Sequence, residues 1–149
     1  MSIVVGVDSS TQSVKIVLRE LESGELIREA KVAHPDGTEC DPRDWFEALN
    51  KAIKDVDNLD NVSAIAIGGQ QHGAVVLDES GEPVRKALLW NDTRSAKEAQ
   101  DLNEEFGGAK TTADAVGSLL VASFTVTKLR WIADHEPENL KRIAAVCLP

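Results

Sequence analysis

The side chains best placed to do chemistry stand at a turn near the start of the chain. An apolar run, Val4-Val5-Gly6-Val7, ends on Asp8. Ser9, Ser10, Thr11 and Gln12 follow, and Ser13, Val14 and Lys15 lead away. Hydroxyls and backbone N–H groups in such a turn can hold phosphate oxygens. A carboxylate at the strand end can hold a hydrated magnesium ion beside them. The combination points to nucleotide handling. The same residues also fit a plain polar turn with Asp8 as its cap.

A second stretch, Gly68-Gly69-Gln70-Gln71-His72-Gly73, follows an apolar run. Glycines let another group approach the backbone closely. Three long polar side chains at the end of a buried strand are costly if nothing binds them, so Gln70, Gln71 and His72 are candidates to grip sugar hydroxyls. The alternative is a glycine-rich loop with surface amides. A third stretch is Leu88-Leu89-Trp90-Asn91-Asp92-Thr93-Arg94. Trp90 could stack on the apolar face of a sugar and Asp92 could accept its hydroxyls. Equally, Trp90 could be core and Asp92 a helix cap paired with Arg94. A fourth, Ser123-Phe124-Thr125-Val126-Thr127-Lys128, fits a helix start near a cleft, or simply Ser123 as cap and Phe124 as packing. His34 and His135 read as surface residues. Neither has a carboxylate or cysteine at ligand spacing, so no zinc site is expected. The acidic segment from Asp101 to Glu105 reads as a solvated face.

The elements that must position these groups are legible from periodicity. Ile3 to Val7, Val14 to Leu18 and Leu26 to Val32 read as three meandering strands, followed by a loop from His34 to Gly37. Asp41 and Pro42 mark a helix start, with Trp45, Leu49, Ala52, Ile53 and Val56 on one face and Asp57 to Asn61 closing it. Val62 to Ile67 reads as a buried strand stopped by Gly68-Gly69. A hairpin is expected with arms Ala74 to Leu77 and Val84 to Trp90. Asn91 or Asp92 then caps a helix whose stripe is Ala96, Ala99, Leu102 and Phe106, ended by Gly107-Gly108. Thr111 to Leu120 is ambiguous. Ser123 to His135 reads as a helix with Leu129, Ile132 and Ala133 inward, Pro137 opens a short helix through Arg142, and Ala144 to Leu148 reads as a last buried strand. Pro149 follows that strand at once. Ligand-binding residues of open α/β sheets lie just past strand ends, so further chain is expected beyond it.

The chain has 149 residues, 42% hydrophobic and 28% charged, an ordinary globular composition. Sixteen basic residues against 25 acidic ones give a net charge of −9. That opposes broad binding to a nucleic-acid backbone, though not to a small anion held by backbone N–H groups. Cys40 and Cys147 make no metal-spaced pair and no disulfide framework, and Cys147 reads as a buried small side chain. No secretory signal is evident at Met1-Ser2, and no apolar stretch reaches the ~18–20 residues of a membrane span. A cytoplasmic location is the expectation.

In order along 3–149, these four segments resemble the FGGY carbohydrate kinases, and among them the members that act on D-xylulose. The hairpin matches at Asp8 to Lys15, the sugar loop at Gly69 to Gly73, the Trp-Asn-Asp-x-Arg segment at Trp90 to Arg94, and the Phe-Thr-x-x-Lys helix at Phe124 to Lys128. The element order is that of the ribonuclease-H-like fold of sugar kinases and actin: α/β, a mixed sheet flanked by helices. Residues 1–149 are expected to be an incomplete first domain.

The resemblance implies a two-domain enzyme that phosphorylates D-xylulose with magnesium-ATP. It places Asp8 at the metal and phosphate site, acting on the metal through water. It places Ser10, Thr11, Gln12, Ser13 and Lys15 at the ATP phosphates, and Gln70, Gln71, His72, Trp90 and Asp92 at the sugar. It puts the catalytic base beyond position 149, so the piece alone is expected to be silent. Ser10 departs from the family, which has glycine there. The expected partners are the sugar and ATP, with no nucleic acid and no membrane, and a homodimer is one assembly left open. The rivals are a kinase for another pentulose or polyol, a non-catalytic actin-like nucleotide-binding module, and a nuclease of the same fold. By the resemblance the Gln-Gln-His loop favours xylulose over ribulose or glycerol, since the glycerol enzymes carry a charged Arg-Glu pair there. The nuclease needs several convergent carboxylates.

Overall fold

A computed structural model describes residues 2–57 and 59–149. The chain runs β1 (Ile3–Ser9), β2 (Ser13–Glu20), β3 (Leu26–Ala33), β4 (Glu39–Cys40), α1 (Pro42–Val56), β5 (Val62–Gly69), β6 (Val75–Leu77), β7 (Ala87–Leu88), α2 (Ala96–Glu105), α3 (Ala109–Val116), α4 (Thr125–His135), α5 (Pro137–Leu140) and β8 (Ala145–Cys147). It divides into two compact units. One holds residues 1–36 and 42–70, the other residues 37–41 and 71–149.

The first unit is a mixed sheet of order β3-β2-β1-β5. β1, β2 and β3 form the expected antiparallel meander, and β5 lies parallel to β1. Alternation along the strands turns Val5, Val7, Val14, Ile16 and Leu18 to one face, where they pack on Ala48, Ala52 and Val56 of α1. Each fully buried valine, leucine or isoleucine there contributes about 1.5–3 kcal/mol. Pro42 opens α1, as its fixed φ and missing N–H allow. The inward face is Ala48, Ala52 and Val56, and Ile53 is half-exposed. The expected close of this helix at 57–61 includes Asn58, which lies outside the described residues. Asp57 and Asn61 at its ends have left-handed φ of 51° and 65°.

The second unit is assembled from short pairings. β6 pairs with β8 and β7 with β4. The expected hairpin closes near its tip, where Val84 N–H donates to Val76 O, and again at its base, where Ala74 N–H donates to Leu88 O. Between these two bridges each arm also takes an outside partner, β8 for β6 and β4 for β7. The core here is Ala74, Val76, Val84, Leu88 and Ile132.

Several expectations change. β5 was expected to be buried and to stop at its glycines. It runs through Gly68 and Gly69, which pair with Asp8 and Ser9, and Ile65 and Ile67 are 59% and 70% exposed. β8 is a strand, but an exposed one, and Cys147 is exposed with it rather than buried. Val62 packs on the first core, whereas the rest of β5 and all of β8 are exposed. Ser95, without a side-chain capping bond, precedes α2 in place of Asn91 or Asp92, and Phe106 stands exposed beyond its end. The ambiguous stretch becomes α3, which starts at Ala109 and ends at Gly117 with a φ of 82°. Phe124, not Ser123, is the residue before α4. Residues 141 and 142 fall outside α5, in a turn. No helix among the described residues is long and apolar enough to cross a membrane, and no group of three or more His, Cys, Asp or Glu there could hold a metal ion.

Candidate functional site

Asp8 closes β1, opposite Lys15 on β2 and Gly68 on β5. Its carboxylate is exposed and no described residue bonds to it. The register puts Asp8 and Lys15 on the face opposite Val7 and Ile16. Lys15 Nζ turns to Glu29 Oε2 at 2.7 Å, a surface pair of small energetic weight.

The turn itself is closed by Ser10. Its N–H donates to Ser13 O at 2.9 Å and its hydroxyl to the same oxygen at 3.0 Å. The Ser10 hydroxyl is thus spent on shaping the turn, where the family's glycine would offer only backbone. Thr11 Oγ1 donates to Gln70 Oε1 at 3.2 Å, and Gln70 N–H donates to Ser9 O. Gln12 is exposed and Ser13 is buried. Gln70, a candidate for the sugar with Gln71 and His72, is bonded to the hairpin through Thr11 and Ser9. Its Nε2 is buried without a partner among the described residues.

Gln71 and His72 belong to the second unit. Gln71 is exposed. His72 takes a left-handed φ of 59°, unusual for a residue with a side chain, and its imidazole stacks on Phe124 at 4.6 Å and 26°. Neither of its ring nitrogens is hydrogen-bonded by a described residue. The backbone around Phe124 is held by side-chain bonds. The carbonyl of Ala122 accepts from Ser95 Oγ at 3.1 Å and from Lys128 Nζ at 2.6 Å. Thr127 Oγ1 donates to Phe124 O at 2.9 Å and lies 3.0 Å from Ser95 Oγ.

Trp90 is 47% exposed, so it is not core. Asp92 is buried and fully engaged. Thr38 Oγ1 donates to Oδ2 at 2.7 Å, Arg94 N–H and Nε donate to Oδ1 at 3.0 and 2.8 Å, and Arg94 Nη2 donates to Oδ2 at 2.9 Å. Burial alone would raise this carboxyl, but the bonds from Arg94 and Thr38 outweigh it and hold it below the usual aspartate value. Arg94 also meets Glu39 Oε1 at 2.6 Å and lies over the Trp131 ring at 4.9 Å. An open depression of ≈ 400 Å³ is lined by Thr38, Asn91, Asp92, Thr93, Arg94 and Trp131.

Two residues escaped sequence reasoning. His34, expected at the surface, is 5% exposed and reaches the hairpin turn, with Nδ1 at 2.9 Å from Ser10 O. Nothing in His34-Pro35-Asp36-Gly37 signals this, because the contact spans 24 residues. Lys128 is wholly buried, and burial lowers its ammonium from 10.5 to about 8 although the Asp92 carboxylate opposes the change. Its signal was available, since Lys128 and Ile132 stand four apart on one helical stripe.

The model of the FGGY family of carbohydrate kinases, N-terminal domain, matches residues 3–149. A xylulose kinase of Streptomyces rubiginosus is 48% identical over 152 residues, covering 99% of this chain and 32% of that protein. One from Streptomyces coelicolor is 47% identical with the same coverage. The crystal structure of xylulose kinase from Bifidobacterium adolescentis superposes with a TM-score of 0.95 at 47% identity, over 99% of this chain and 32% of that one. The chain thus spans about a third of the length of these relatives. The ribonuclease-H-like class read from the element order, with its mixed sheet and flanking helices, stands.

Proposed function

The chain belongs to the FGGY family of carbohydrate kinases, and from that premise we propose that the whole protein transfers the γ-phosphate of ATP to D-xylulose, giving D-xylulose 5-phosphate. Residues 1–149 are then part of its first domain. The observation that carries the substrate is the run of xylulose kinases among its relatives, at 48% and 47% identity over nearly the whole chain.

The residues are suited to the work. Phosphoryl transfer depends on positioning and on electrostatic stabilisation more than on covalent chemistry. The turn after Ser10 directs backbone N–H groups and the Gln12 amide toward phosphate oxygens, with Thr11 oriented by Gln70. The free, exposed carboxylate of Asp8 fits a magnesium ion held through water, and that ion, when bound, supplies neutralisation of phosphate charge. Gln71 and the free nitrogens of His72 supply donors and acceptors for sugar hydroxyls, with Phe124 fixing the ring. Trp90 offers an exposed apolar face. Asp92 serves through its neighbours, by ordering Thr38 and Arg94. The base that takes the proton from the attacking hydroxyl lies outside this chain.

The test is His72→Ala in the whole protein, assayed with D-xylulose, D-ribulose and glycerol. Wild type should prefer D-xylulose, and the variant should raise the D-xylulose KM by about tenfold or more, as loss of one or two hydrogen bonds requires, while ATP affinity stays. Unchanged D-xylulose kinetics, or a wild-type preference for another substrate, would refute the assignment.

A further inference from the structure

His34 follows β3 and is 5% exposed. It meets the β1–β2 turn twice. Its backbone N–H donates to Gln12 O at 2.8 Å, and Nδ1 lies 2.9 Å from Ser10 O. A carbonyl oxygen only accepts, so the proton in that contact sits on Nδ1. Nε2 is buried and has no partner among the described residues. Leaving it so costs free energy. A leucine could fill the same space without that cost, so the imidazole's distinctive contribution is its bond to Ser10 O.

That bond has a consequence on the far side of the turn. No peptide among the described residues is cis. In a planar trans peptide the C=O and the N–H point in opposite directions. Anchoring Ser10 O on the imidazole therefore aims the Thr11 N–H away from His34, and anchoring Gln12 O on the His34 N–H aims the Ser13 N–H away from β3. Two carbonyl oxygens, which would repel an anion, are drawn back, and two N–H dipoles are left on the opposite side. We propose that His34 is a positioning residue that sets the peptide orientation of this turn for a nucleotide's phosphate oxygens. The proposal rests on reading the turn as the ATP phosphate site.

The experiment measures binding of a non-hydrolysable ATP analogue and of D-xylulose to the whole protein by titration calorimetry. Asparagine carries an N–H at the same bond distance from the backbone as Nδ1, and glutamine carries one at the distance of Nε2. His34→Leu and His34→Gln should each weaken the analogue by about tenfold, the cost of one lost orienting bond. His34→Asn should stay within about twofold of wild type on the same scale. D-xylulose binding should be unchanged in all three. Wild-type affinity in His34→Leu, or an equal loss in His34→Asn and His34→Leu, overturns the proposal. Should His34→Leu fail to fold, the contrast between Asn and Gln decides by the same criterion. Amide hydrogen exchange separates the two levels. If the analogue does not protect the peptide containing Thr11 to Ser13 in wild type, the reading of the turn itself fails. If it protects that peptide while His34→Leu binds normally, only the role of His34 fails.

Discussion

Replacing Gly73 by alanine sets two effects against each other, and the geometry decides between them. Gly73 follows His72 and is buried. Its φ is not among the positive ones, so alanine is conformationally allowed there. On that ground alone Gly73→Ala would stabilise by about 0.4–1 kcal/mol, by narrowing the unfolded ensemble. A Cβ at this position, however, would lie 2.4 Å from Pro149 Cγ and 2.8 Å from Cδ. Carbon atoms rest about 3.5–4.0 Å apart, so roughly 1 Å of movement is needed. Proline cannot swing its ring away, because the ring is closed on its own backbone. The backbone after Gly73 is pinned as well, since Ala74 N–H donates to Leu88 O at 2.9 Å and both residues are wholly buried. Overpacking of this kind costs about 1–3 kcal/mol. The net expectation is a destabilisation of about 1–2 kcal/mol. Urea denaturation of the whole protein measures it. Pro149→Ala deletes the two clashing atoms, so the double variant should recover the loss and show a coupling of about 1–3 kcal/mol between the sites. A Gly73→Ala protein as stable as wild type, or one that Pro149→Ala does not rescue, would refute this packing argument.

Two further outcomes follow from the buried charges. The Lys128 value falls from 10.5 to about 8 on folding, which corresponds to roughly 3 kcal/mol of penalty. The unfolded chain binds the proton more tightly, so the penalty is fully present below about pH 8 and is relieved as pH rises from there toward 10.5. Lys128→Met should therefore be at least as stable as wild type at pH 7, and its advantage in urea midpoint should shrink above pH 8; an advantage independent of pH would contradict the account. Asp92→Ala removes the acceptor of Thr38 and Arg94 and should cost about 3 kcal/mol, near the low end for a broken buried ion pair because Arg94 keeps Glu39. The folded Asp92 carboxyl is depressed, so its stabilisation is present above the unfolded value of 3.8 and is lost as pH falls below it. Urea midpoints between pH 7 and pH 3 should converge for wild type and variant, and parallel midpoints would count against it.

Local pattern was enough for the first three strands and the first helix. The apolar runs Ile3 to Val7 and Val14 to Leu18 and the proline that opens α1 are short-range signals, and each produced the element expected of it. The polar turn after Asp8 was equally plain, because a run of hydroxyls between two apolar strands has few other uses. What covers a strand is another matter. The apolar run of β5 predicts a strand but cannot say that, among the described residues, β5 is an edge strand beside β1 that leaves Ile65 and Ile67 open. The exposure of Cys147 on β8 was hidden for the same reason.

Tertiary structure alone decided which polar groups serve the turn and which serve the second loop. Gln70 and Gln71 are adjacent in sequence, yet the first bonds to Thr11 and the second belongs to the other unit. His34 was drawn into the interior by Ser10 and Gln12, residues more than 20 positions earlier. The physical reason is range. Propensity and periodicity act over a few residues and settle whether a segment is helix or strand. Burial and hydrogen-bond partners depend on groups brought together by chain folding, and these determine which of the candidate side chains are left free to meet a ligand.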